Sequence, residues 1–153
     1  MTVYSAIFGA VAVTAQQDLF EITTPSTGIA IIHQIIISQS TEEGDIQEEG
    51  LRLLLKRGAT TTGSGGTTVT PVPLGVGSAA GSTVKANNTT KATSGTIVTL
   101  HAETWYIRGS FIILPTPKLQ VMLPPSTRLT LELATTPADP ITMDGTVYFE
   151  ELP

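Results

Sequence analysis

The chain has 153 residues, of which 41% are hydrophobic, 14% are charged and none is cysteine, and its net charge is −5. The length suits one domain with a sizeable buried core. The acidic balance argues against nucleic acid or an anionic membrane as partner, since both demand a basic footprint, and without thiols there is neither a disulfide framework nor thiolate chemistry.

Charged residues make up about 25% of ordinary globular proteins. A surface as poor in charge as this one is expected to face other protein over part of its area. The apolar start, "MTVYSAIFGAVAVTAQQ", lacks the basic flank of a secretory signal, because no Lys or Arg precedes Arg52. No run reaches the length of a membrane-spanning helix. A soluble protein made in the cytoplasm is expected.

Alternation of apolar and polar residues, the mark of a half-buried strand, recurs along the chain. Strands are expected at 3–14 and 18–23, then over "GIAIIHQIIISQS". That run is apolar on both faces from Ile29 to Ile37 and reads as a central strand covered on both sides. "LRLLLKR" follows with Leu51, Leu53 and Leu55 inward. Further strands are expected at 96–103 and 105–114. "KLQVML" has Leu119, Val121 and Leu123 on one face, and "RLTLELA" has Leu129, Leu131 and Leu133 inward. "TVYFEE" sets Val147 and Phe149 against Tyr148 and Glu150. Pro-rich breaks at 115–117, 124–126 and 137–140 separate the later strands. No capped helical period persists, the sole candidate being a turn inside "TEEGDIQEEG" between Gly44 and Gly50. The fold expected is all-β: one domain over 1–153, an antiparallel β-sandwich or jelly roll of about nine strands.

Between two of those strands, residues 58–96 form a long insertion with eight of the fourteen glycines, eleven threonines, no acid and no aromatic. Connections this long inside a compact domain are functional or disordered. "TPVPLG" favours an extended, polyproline-like path. Val69, Val72, Leu74, Val76 and Val84 mark the segment as more than a linker, and Lys85 and Lys91 are its only charges. An arm ordered by contact with a partner is expected, with Val69, Pro71, Val72, Pro73 and Leu74 as its contact residues.

Little in the sequence points to catalysis. His33 and His101, the only two histidines, both fall within expected strands. Neither a nucleophile elbow nor a phosphate-binding glycine motif occurs. Five of the thirteen acids, Glu42, Glu43, Asp45, Glu48 and Glu49, cluster in one loop. "DIQEEG" resembles the start of a calcium loop, but Lys56 stands where its bidentate Glu would be. A solvated acidic loop, or one facing basic groups of a neighbouring subunit, is the better reading. No metal, cofactor or catalytic residue is assigned. Asn87 and Asn88 begin overlapping glycosylation sequons that matter only in a secreted eukaryotic chain. "ETWYIRG" brings together Trp105, Tyr106 and Arg108, the residue types that dominate binding hot spots. They are interface candidates, with a plain core role for Trp105 as the alternative.

Across nearly its whole length the chain resembles small all-β virion structural proteins of tailed bacteriophages and prophages. The resemblance is carried by "VAVTAQQDLFEITTP", "IIHQIIISQST", "EEGLRLLLKRG" with "TGSGGTTVTPVPLG", "ANNTT" and "GTVYFEEL". It implies a head decoration (cement) protein in the virion and transfers no site residues. The expectation is a non-enzymatic homo-oligomer, a trimer, that contacts the major capsid protein or another virion protein. The alternatives are a tail, neck or fibre component, a carbohydrate-binding sandwich with a platform of Tyr4, Trp105 and Tyr106, and a jelly-roll hydrolase using His33 or His101 beside carboxylates.

Overall fold

The computed structural model describes residues 1–41 and 48–152, so Glu42, Glu43, Asp45 and the expected helical turn around them lie outside the described residues. Twelve strands are present among those described. They are β1 (Thr2–Val13), β2 (Gln17–Thr23), β3 (Ile29–Gln39), β4 (Gly50–Arg57), β5 (Thr67–Val69), β6 (Val72–Pro73), β7 (Thr83–Asn88), β8 (Val98–Tyr106), β9 (Phe111–Ile113), β10 (Val121–Leu123), β11 (Arg128–Leu133) and β12 (Ile141–Leu152). No helix among the described residues is long and apolar enough to cross a membrane.

The strands form two antiparallel six-stranded sheets in a sandwich-like arrangement. The first runs β10-β3-β12-β1-β6, with β9 also on β3, and the second runs β5-β7-β2-β11-β4-β8. β9 and β10 lie end to end on one edge of β3, at Ile35–Ile37 and Ala30–Ile32 respectively. Side-chain alternation drives this assembly, because each strand can bury one face only against the opposite sheet. Leu55, Leu131, Phe20 and Ala86 make one inward row across the second sheet. Phe149, Ile32, Val147 and Ile35 answer from the first, and all belong to one apolar cluster.

The expected strand count of nine is too low. The nine correspond to β1–β4 and β8–β12, and the three others, β5, β6 and β7, all lie within residues 58–96. These short strands carry too few apolar residues for alternation to reveal them. The strands expected at 96–103 and 105–114 are also redrawn. β8 continues through Glu103 to Tyr106, and the break comes at a turn where the Trp105 indole N–H donates to the Gly109 carbonyl. Leu119 is not in a strand: its N–H donates to the Thr116 carbonyl in a turn, and its side chain is 72% exposed. β3 is covered on one side only, because Ile31 and Ile36 on its outer face are half-buried.

Candidate interaction surface

Residues 58–96 are ordered on the chain's own body. Gly58 opens the segment in left-handed backbone (φ 105°), where a Cβ would lie 2.2 Å from the Thr96 carbonyl oxygen. The two ends then run side by side, with bridges at Thr61–Thr93 and Ser64–Thr90, across the outer face of the second sheet. Between them β7 joins β2, β5 joins β7, and β6 crosses to the first sheet to pair with β1 at Tyr4 and Ser5. Val84 is 0% exposed and belongs to the core. The segment therefore closes one lateral margin of the two sheets.

A polar network holds it down. On the outer face, pairing aligns Lys56, Thr130, Glu21 and Lys85 in one row and Leu54, Glu132, Asp18 and Asn88 in the next. Glu21, 1% exposed, accepts from Arg128 Nε at 2.8 Å, the Thr62 hydroxyl at 2.6 Å, the Gly63 N–H at 2.8 Å and Asn88 Nδ2 at 2.9 Å. Glu132 accepts from Lys56 and from Lys91. Burial alone would raise the Glu132 carboxyl, yet these two ammonium groups outweigh it and hold it below its ordinary value. Asp18 accepts the Ala92 N–H at 2.7 Å. Burial pushes its carboxyl up to about 6; the Ala92 bond opposes this, the nearby Glu132 and Glu21 charges add to it, and Lys91 lowers it. These acids are structural anchors, and no group of three or more His, Asp or Glu among the described residues has a metal-binding arrangement.

The opposite lateral margin is open. There a groove of about 340 Å³ runs between β8 on one sheet and β9 and β10 on the other, lined by Ile32, Leu55, Leu100, Ile113, Leu114, Leu119 and Val121. His101 and Glu103 also line it, 3.1 Å apart. Eight large apolar side chains are exposed along this margin: Ile97, Val98, Leu100, Tyr106, Ile112, Leu114, Leu119 and Met122.

The interface residues expected from sequence are split between the two margins. Val69 in β5 packs against the core, Pro71 and Pro73 are half-buried, and Val72 and Leu74 stay exposed on the closed margin. Trp105, 3% exposed, is a core residue of β8 and offers nothing to a partner. Tyr106 is 68% exposed beside it, and Arg108 lies 3.7 Å from Glu48 on the open margin. The aromatic sugar platform is not assembled, because Tyr4 is buried and stacks on Phe149 while Trp105 is buried in the core. Both histidines do stand beside carboxylates. His33 has both ring nitrogens engaged, Nε2 with Glu150 at 3.0 Å and Nδ1 with Gln120 at 2.9 Å, so it has no nitrogen left to take a substrate proton. The His101–Glu103 pair lines the groove with its ring and carboxylate 3.1 Å apart.

Sequence reasoning missed the Glu21 network and the open margin. One signal was present in the insertion's only charges: Lys91 is a counter-ion for the buried Glu132, and Lys85 donates to the Thr62 hydroxyl, which itself bonds to Glu21. No protein family, curated protein or solved structure matches the chain.

Proposed function

We propose that this chain is a non-enzymatic structural protein of a phage particle, a head decoration protein that self-associates and attaches to the capsid lattice. The apolar open margin carries the reading. Soluble monomers rarely cluster so many exposed large apolar side chains along one margin, and these sit on a chain with only 14% charged residues. Its partner is protein, because the surface offers neither the basic footprint of a nucleic-acid binder nor the charge that steers a ligand.

The strand connectivity supports the same reading. Successive strands alternate between sheets, so that β1, β3, β9–β10 and β12 share one and β2, β4, β8 and β11 the other. β12 lies between β1 and β3 and β11 between β2 and β4, the order of a jelly roll, an architecture used by viral capsid and lectin domains. Folds host many functions, and the sequence resemblance to phage virion proteins supplies the setting. The insertion acts as an internal staple that stiffens the body, and the attachment surface lies across the molecule from it. Lattice attachment multiplies weak contacts, so no single one needs high affinity.

The test is deletion of the gene from the phage or prophage that carries it. Particles lacking the chain are expected to lose genome retention on heating or dilution and to regain it when purified chain is added. Particles that never bind the added chain would overturn the proposal.

A further inference from the structure

Sheet edges are hazards, because their unpaired N–H and C=O groups template pairing with another chain. Three of the four lateral margins here are short or interrupted. Beyond β6, residues 6–13 of β1 have no strand alongside among the described residues, but a bulge between Phe8 and Val11 breaks that edge. β6 has two residues, and β5, β9 and β10 have three each. The fourth margin is β8, with nine residues, eight of them exposed. β4 pairs along one side of β8, and among the described residues no strand pairs along the other. β8 carries neither the proline nor the lysine that commonly protects such an edge, and its one bulge, between Thr99 and His101, leaves residues 101–106 regular.

We infer that two copies of the chain join through these free β8 edges, antiparallel across a two-fold axis at Ala102, making one continuous sheet. The inference rests on the self-association part of the reading above and needs none of its virion part. Hydrogen-bond complementarity selects the register. A two-fold axis perpendicular to a sheet pairs residues on the same face. With Ala102 opposite its own copy, His101 stands opposite Glu103 and Glu103 opposite His101. Both side chains share the face of Leu55 and Leu53, with which β4 pairs them, and both line the groove. An imidazole N–H directly across an antiparallel pair can donate to the facing carboxylate, whereas a register that opposed Glu103 to itself would set like charges together. The same operation brings the two grooves together beneath the joined strands, so that Leu100, Leu114 and Leu119 of each copy gain apolar neighbours. A three-fold ring, the form expected from the sequence, would need two different long edges if built by strand pairing. Among the described residues β8 is the one long unbroken edge with no strand along it. The other candidate, β1 beyond Ser5, is broken by a bulge between Phe8 and Val11. Identical edges close two-fold.

The chain has no cysteine, so engineered thiols report contacts without background. Opposed residues of an antiparallel pair have Cα atoms about 4.5–5.5 Å apart, within reach of a disulfide. Ala102→Cys is therefore expected to oxidise to a covalent dimer. Thr104→Cys, whose copies would lie about 13 Å apart along the strand, is expected not to. In light scattering the native chain is expected at twice its 16.1 kDa. His101→Glu and Glu103→Lys should each fall towards the single-chain mass, and an equal mixture of the two should recover the doubled mass as a heterodimer. A native chain that stays at 16.1 kDa, an Ala102→Cys chain that forms no dimer, or a mixture no better than its components would overturn the inference. A dimer that never binds particles would refute the virion reading and leave this one standing, and a particle-binding monomer would do the reverse.

Discussion

Arg128 and Glu21 meet on the outer face of the second sheet, with guanidinium Nε and carboxylate oxygen 2.8 Å apart beneath the insertion. Glu21 is 1% exposed, and the same Arg128 reaches the Ala59 carbonyl at 2.9 Å. One buried pair thus ties a body strand to the segment laid over it. Removing one partner from such a pair leaves an uncompensated buried charge, at a cost of about 3–5 kcal/mol. Glu21→Ala is expected to lose that much in urea unfolding and to expose the chain near Thr62 to proteolysis. Unchanged stability would mean that the insertion is held by its strands alone.

Asp18 gives the network a pH signature. Its folded pKa, about 6, lies above its ordinary value of 3.8. The folded state therefore keeps its proton longer than the unfolded state, and stability falls as pH rises through that window. Glu132 acts in the opposite sense. Its folded value is lowered, so its contribution is present above its ordinary value and lost as pH falls below it. Asp18→Asn keeps an acceptor for the Ala92 N–H and removes the titration. Relative to the native chain, this variant should be more stable at about pH 8 than at about pH 4. Denaturant midpoints at both values provide the check, and an equal difference at both would refute the assignment.

Gly145 on β12 sits under the ring pair Phe8–Phe20, whose centroids are 5.0 Å apart. A Cβ at Gly145 would lie 2.3 Å from Phe8 and 3.0 Å from Phe20. Overpacking of this kind costs about 1–3 kcal/mol. Gly145→Ala should lower the urea midpoint with an unchanged slope.

Much of the fold was legible. Leu51, Leu53, Leu55, Leu129, Leu131, Leu133, Val147 and Phe149 point inward as their alternation demands, because an apolar face has nowhere else to go. The insertion was not legible, since alternation reports burial of apolar side chains and this segment is fixed mainly by polar ones. Thr62, Gly63 and Ala92 bond to acids far away in sequence, and no local pattern announces such partners. The open margin was hidden for the converse reason. Leu119 looked like an inward strand residue, and only the turn at Thr116 puts it on the surface.

Leu119→Ser tests the groove without touching the core. The residue is exposed, so stability should change by no more than about 0.5 kcal/mol. Binding of a hydrophobic dye and self-association should both drop. A large stability loss with association intact would place Leu119 in the core of the working protein.

The most direct measurement of the central claim is quantitative mass spectrometry of phage particles purified from the source of this chain, scaled to the major capsid protein. A decoration protein is expected in a fixed ratio to that protein, at a copy number set by the lattice. Absence from the particles, or only a few copies in each, would contradict it.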